Sequence, residues 1–462
     1  MVDDVEGLRR KASHLVRSLL DQLDSLAAHE YPTSSPRGFI DFLRSILKGF
    51  QRRLADDLDE ATGKWLCEVL IGFGHHVKFL ETASYPRIPW ALISPVEKVI
   101  ARLVPGSRVI LRSDWDYNYS VERVIDVYRR ALEPIRTYFE DSVFAPAAPE
   151  WNIVSLPMID RANVLMHVML GHEIGHRIAE QFLAAEDSAE LQREITALVA
   201  DGKWSDKNIE ASGPLFAMKA KQNLYNKILE LRTRGLEELI SDLVGGRLFG
   251  LGLLFGLREF ALVDVFDTAP KRPDYYPPWR YRLRLLIDDM ISERHQEFLG
   301  QINGAAAVLA IRDSSVRDFK TVQELTAITP DLDAIKRDPL IAKAYGSIAK
   351  ALPRVGPFLT QTLTGLQFDP ASMTRTMPEL LNRIALGVPP AEQGGVVVDF
   401  RDAILAGALY KTARLPIPYD PDPSKRKWSL EDDVTLSRLI HKALEYTHLA
   451  SEFRDWQAAR PA

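Results

Sequence analysis

His172-Glu173-Ile174-Gly175-His176 sits in a proline-free stretch, Asn163 to Leu183, whose apolar residues recur at helical spacing after a boundary at Pro157. Residues four apart stand on one face of a helix. His172 and His176 can therefore offer imidazole nitrogens to one metal ion, while Glu173, about 100° round the helix, reaches a water that the ion activates. Two ligands and a base come from a single turn. A catalytic zinc site takes three protein ligands and keeps one position open, so a third donor is expected elsewhere in the chain.

Downstream, Glu237-Glu238-Leu239-Ile240-Ser241-Asp242 lies on a run that reads as helix from about Pro214 to Phe255. Glu238 and Asp242 are again four apart, so a carboxylate ligand and a second acid share one face. The spacing H-E-x-x-H-x-x-G-x-x-H of metzincins is not met, since Ala179 and Phe182 stand where Gly and His are required.

With this pair of motifs the chain resembles the gluzincin metallopeptidases, whose thermolysin-like members carry H-E-x-x-H followed by N-E-x-x-S-D. Glu238 to Asp242 matches the second motif, and Glu237 replaces its Asn. The resemblance implies a zincin-like core, peptide-bond hydrolysis, and His172, His176 and Glu238 as zinc ligands. It further implies Glu173 as general base and Asp242 as the acid that orients His172, because a ligating imidazole needs its other N–H held. The interval from His176 to Glu238 is longer than in thermolysins, which predicts an insertion at about 186–234 folded outside the site. Tyr276-Pro277-Pro278-Trp279-Arg280-Tyr281-Arg282 resembles the H-P-P-x-x-x-R element of CAAX-endopeptidase-type gluzincins, with Tyr for its His. On that likeness Tyr276 donates a hydrogen bond to a developing oxyanion, and Arg282 stabilises charge or braces the active-site helices. The alternative for this segment is a Pro-capped helix start with stacked aromatics. The resemblance spans about Asn152 to Leu285.

Composition bounds the rest. A chain of 462 residues with 46% hydrophobic content has room for a sizeable core, and its net charge of -5 gives no general attraction to nucleic acid or anionic lipid. The basic clusters Arg280 to Arg284 and Lys425 to Lys427 read as solvated faces. Cys67, the single cysteine, lies in an apolar stretch and reads as a core residue, which fits a reducing, cytoplasmic setting. The acidic start, Met1 to Glu6, lacks the features of a secretory signal. Leu248 to Leu257, between Arg247 and Arg258, is too short to span a membrane and reads as a buried continuation of the Glu238 helix, with Gly245, Gly246, Gly250, Gly252 and Gly256 marking close packing or flexibility.

The expected fold is α+β and predominantly helical. Three regions are expected: N-terminal helices at 1–104, a metallopeptidase domain at 105–300, and C-terminal helices at 301–462. Helices are predicted over Val5–Ala28, Gly38–Leu58 and Glu60–Leu80. Arg108 to Tyr119, where Trp115, Tyr117 and Tyr119 alternate with polar residues, and Glu150 to Leu156 read as strands. The second is expected to be an edge strand able to pair with an extended substrate. Beyond Phe298, helices are expected to break at Pro330, Pro339, Pro353, Pro357 and Pro370. A short strand at Val396 to Val398, an exposed stiff connector at Leu415 to Pro423 and a last helix at Leu430 to Trp456 complete the reading.

The remaining histidines read as surface or packing residues: His14, His29, His441 and His448 lack partners at ligand spacing, His75 and His76 point apart, and His167 is off the ligand face. His295, Tyr225 and Tyr281 are alternative transition-state donors. Two functions stay open on the sequence. One is a cytoplasmic zinc endopeptidase acting on protein or peptide substrates, its helical extensions regulating access or meeting a regulatory partner. The other is a zinc-stabilised helical interaction protein without hydrolytic activity.

Overall fold

The computed structural model describes residues 2–84, 90–116, 118–124, 132–138, 150–160, 163–201, 214–261, 267–272, 274–326, 335, 337–422 and 426–458. Most of these residues are helical, with one three-stranded mixed sheet and one two-stranded ribbon, so the chain is a predominantly helical α+β protein. It forms two compact units, Met1–Val164 with Leu444–Ala462, and Leu165–Ala443. This division differs from the three regions expected from sequence, because the sheet belongs with the N-terminal helices and the His172 helix belongs with the C-terminal ones.

In the first unit, helices α1 (Val2–Ala27), α2 (Ser35–Ala55), α3 (Glu60–Thr82) and α4 (Trp90–Leu103) surround strands β1 (Ser107–Asp114), β2 (Ser120–Arg123) and β3 (Glu150–Pro157). The first three helices fall where the three- and four-residue spacing predicts. Their inner stripes, with Leu23, Phe39, Leu43, Phe50, Leu66 and Phe73, meet Ile110, Trp151 and Ile153 of the sheet in one core. Cys67 is buried there with its Sγ 3.7 Å from the Leu8 carbonyl, and burial raises its thiol pKa.

The sheet order is β1-β3-β2, with β1 parallel to β3 and β2 antiparallel to it. β3 is therefore the central strand, which corrects the expectation of a free edge for substrate. Its polar residues Asn152 and Ser155 are buried along with Trp151, Ile153, Val154 and Leu156, the pattern of a strand covered on both faces. β1 stops at Asp114 rather than running to Tyr119. The Asp114 carboxylate accepts from its neighbour's N–H on Trp115 at 2.8 Å and pairs with Arg112 at 2.6 Å, turning the chain toward β2. Tyr117 lies outside the described residues, and Trp115 is exposed.

The second unit begins with α5 (Met169–Ala184) and α6 (Ser188–Ala200), followed by α7 (Pro214–Phe249), α8 (Leu251–Ala261) and α9 (Trp279–Ser292). Then come α10 (His295–Gln301), α11 (Ala306–Thr326), α12 (Pro339–Thr362), α13 (Ser372–Arg375), α14 (Met377–Ala385), α15 (Phe400–Ala413) and the start of α16 (Leu430–Ala458). The predicted Pro214–Phe255 helix breaks at Gly250. Its φ of +58° suits glycine, and a Cβ there would stand 2.7 Å from the Phe368 ring.

Proline acts differently from expectation in α12. Pro339 starts the helix behind the Asp338 cap, but Pro353 and Pro357 lie inside it. Both face solvent, as does Ala349, so the carbonyls they leave without donors, on Ala349 and Pro353, are open to water. Pro330 lies outside the described residues. Val396–Val397 pairs with Glu392–Gln393 through a turn at Gly394 and Gly395, both at positive φ. The expected Leu415–Pro423 connector, of which Pro423 lies outside the described residues, is docked through its first part rather than exposed: Ile417 is buried and its N–H donates to the buried Asp432 at 2.8 Å, while the Tyr410 hydroxyl donates to the Pro416 carbonyl at 3.0 Å. Lys425 lies outside the described residues. Among the described residues, no helix is long and apolar enough to cross a membrane.

The crossing of α5 and α7 sets the site, and glycine makes it close. A Cβ on Gly175 would lie 2.5 Å from the Ser241 Cα and 2.7 Å from its carbonyl oxygen, and one on Gly245 would lie 3.0 Å from the His172 nitrogen. The two backbones touch. Gly175→Ala must therefore push the helices apart, and a loss of about 1–3 kcal/mol in urea unfolding is expected. An unchanged midpoint would show that the crossing is looser than these distances state.

Candidate metal centre

The tight crossing brings His172 and His176 of α5 against Glu237, Glu238 and Asp242 of α7. His172 Nδ1 is 2.8 Å from Asp242 Oδ1, and His176 Nδ1 is 3.1 Å from Glu237 Oε1. Each imidazole thus has one nitrogen held by a carboxylate. The other nitrogen of each faces Glu238, His172 Nε2 at 3.4 Å from Oε2 and His176 Nε2 at 3.8 Å from Oε1. These separations are long for hydrogen bonds. Zinc bonds of about 2.0–2.2 Å arranged tetrahedrally set ligand atoms about 3.3–3.6 Å apart, a range that holds the His172–Glu238 separation and falls just short of the His176–Glu238 one. Glu238 Oε2 is buried without a hydrogen-bond partner among the described residues, 3.6 Å from Arg282 Nη2, and so has acceptor capacity left for a ligand.

Glu173 completes the turn. It, His172 and His176 each place one ligand-type atom within 4.8 Å of the other two. Burial raises the Glu173 pKa, with the charges of His172 and His176 opposing the rise and Glu238 adding to it. Burial also works against charge on His172, yet the adjacent carboxylates of Asp242, to which it is hydrogen-bonded, and of Glu238 prevail and lift its pKa to about 10. Without metal, the charge of these carboxylates is balanced by His172 and by the Arg282 guanidinium.

Arg282 of α9 closes the inner side. Its Nε and Nη2 donate to the two oxygens of Asp242 at 2.7 and 2.8 Å, and its guanidinium lies 4.3 Å from the Trp279 ring centre. Its Nη2 is also 3.6 Å from Glu238 Oε2. Both Arg282 and Asp242 are buried. Burial would raise the Asp242 pKa, but the charge and hydrogen bonds of Arg282, joined by His172, keep it well below the ordinary carboxylate range. Comparisons with protein-family models, curated proteins and solved structures return no match.

The structure thus brings His172, Glu173, His176, Glu238, Asp242 and Arg282 together. Tyr276 is 52% exposed, and its phenol pKa is raised by burial of the remainder and then by the charges of Glu238, Asp274 and Glu173. His295 is elsewhere in this unit, its ring tilted against that of Phe368 at 6.1 Å; burial depresses its pKa to about 4, so it is a neutral packing residue. Tyr225 lies more than three turns before Glu238 on α7. Tyr281 packs edge-on against Tyr345 at 5.3 Å. Sequence reasoning misses two residues. Tyr345 of α12 is buried beside Gly235, and its hydroxyl has no hydrogen-bond partner among the described residues. Glu237 stands out in sequence only as a departure from a motif, although four-residue spacing to Ser241 and adjacency to Glu238 place it on the lip of the same face.

Proposed function

We propose that the chain is a zinc metallopeptidase of the gluzincin type that hydrolyses protein or peptide substrates. What carries this reading is the aim of two imidazole Nε2 atoms at the two oxygens of one buried carboxylate, with both Nδ1 atoms held from behind. His172, His176 and Glu238 would hold the ion. When bound, zinc supplies Lewis acidity toward the scissile carbonyl and lowers the pKa of the attacking water. Glu173 takes a proton from that water at its carboxylate and delivers it to the leaving amine. Asp242 fixes the His172 tautomer, Arg282 fixes Asp242, and Tyr276 donates toward the oxygen on which charge develops. We further assign the enzyme to the cytoplasm, on its single buried cysteine, and infer an endopeptidase whose helical regions regulate access or meet a partner.

The test is the zinc content of protein purified without chelator, beside Glu238→Ala. About one zinc per chain is expected, falling at least tenfold in affinity in the variant. A pH series adds a second check. Zinc needs neutral imidazole, and His172 is protonated below about 10 in the metal-free protein. Affinity should therefore rise about tenfold per pH unit through the neutral range, with one proton released per zinc. Native protein without affinity for zinc would end this reading.

A further inference from the structure

The two histidines are held unequally. Behind His172, Asp242 has a side chain only 1% exposed, and both of its oxygens carry Arg282. Behind His176, Glu237 is 16% exposed, and its second oxygen takes Nη1 of Arg234 at 3.0 Å. That arginine is 58% exposed, and the His176 side chain is 25% exposed against 6% for His172. The inner chain of contacts is dry and rigid; the outer one ends in solvent. A buried charged pair resists opening, whereas an exposed pair contributes about 0–1 kcal/mol.

We propose that Glu237 is a positioning residue that keeps His176 Nε2 turned toward Glu238, and that the Glu237–Arg234 pair is the latch at which the ion exchanges with solvent. This rests on the metal-site reading above and adds a direction of exchange to it. The physical requirement is an acceptor oxygen for the His176 Nδ1–H. With that acceptor gone, the ring is free to rotate and Nε2 leaves the ion; with His176 withdrawn, water reaches the ion from the exposed side while His172 stays fixed. Glu237 is also the letter at which the chain departs from the thermolysin-like motif. The carboxylate there recruits Arg234, three residues earlier on the same face of α7, which couples a ligand to a surface side chain.

The experiment loads the full chain with cobalt(II) or zinc and follows release into excess chelator. Glu237→Leu is expected to release the ion about 10–100 times faster than the native protein. Glu237→Gln, which keeps an acceptor oxygen, should stay within about threefold, and Arg234→Ala should accelerate release by about two- to fivefold. The cobalt absorption spectrum should shift in Glu237→Leu and be kept in Glu237→Gln, a signature that a merely structural role would not produce. Release from Glu237→Leu at the native rate, or from Glu237→Gln as fast as from Glu237→Leu, would overturn the assignment. Arg234→Ala alters an exposed side chain, so it tests the latch even if Glu237→Leu folds poorly, and a native rate there would overturn it. Native protein that takes up neither ion fails at the earlier reading instead.

Discussion

Arg282→Met is expected to cost about 3–5 kcal/mol of stability in the metal-free protein, because it leaves the Asp242 carboxylate charged, buried and short of its main partner. The wild-type arrangement satisfies that carboxylate twice over, through both oxygens to Arg282 and through one to His172. The sign of the pH dependence follows. Asp242 has a folded pKa below its ordinary value, so its pairing stabilises the protein above the usual carboxylate range and is lost as pH falls through the depressed pKa. In Arg282→Met the Asp242 pKa climbs, so the deficit should be largest at neutral pH and shrink toward acid as the carboxyl takes a proton. Urea unfolding at pH 7 and pH 5 measures this. The double variant with Asp242→Asn should lose less than Arg282→Met alone, since no buried charge is then left behind. A single variant within about 1 kcal/mol of the native protein would mean that this pair is not the brace of the α5–α7–α9 contact.

The candidate site is legible in sequence where one helix turn carries several candidate residues. His172, Glu173 and His176 are fixed relative to one another by the helix alone, and so are Glu238 and Asp242; any helix with those letters presents them on one face. What a linear reading does not supply is the distance between the two helices. That depends on Gly171, Gly175 and Gly245, whose missing Cβ atoms let α5 and α7 meet backbone to backbone. Tyr345, more than a hundred residues beyond Glu238, leaves no local trace of its place beside Gly235.

The same distinction runs through the fold. The three N-terminal helices bury one stripe each and are plain from apolar spacing. β3 reads as an edge in sequence because its own residues do not say which strands flank it, and its neighbours β1 and β2 both precede it in the chain. Pro353 and Pro357 read as breaks because local propensity penalises them, yet they lie on the solvent side of α12 while Tyr345, Ile348, Ala351, Val355 and Leu359 fill its buried side. Packing of one face outweighs the backbone bonds lost on the other.

Glu173→Gln should leave zinc binding unchanged and lower the rate of peptide hydrolysis by about 10²–10⁴. Glutamine matches the shape of the side chain and keeps one acceptor oxygen but cannot take a proton. Burial raises the pKa of the native carboxylate while the adjacent histidines restrain the rise. If Glu173 is the base, any activity of the native protein should fall away on the acid side as Glu173 becomes protonated, and this limb should vanish from residual activity of the variant. An internally quenched peptide library, assayed with metal content measured in the same samples, separates three results. Lost turnover with zinc retained assigns Glu173 as the base. Lost zinc would make Glu173 a ligand, which its position within 4.8 Å of both histidine donors would permit, and would favour a closed structural site with four protein ligands. Undiminished hydrolysis would place the base elsewhere and remove the reason for reading this turn of helix as catalytic.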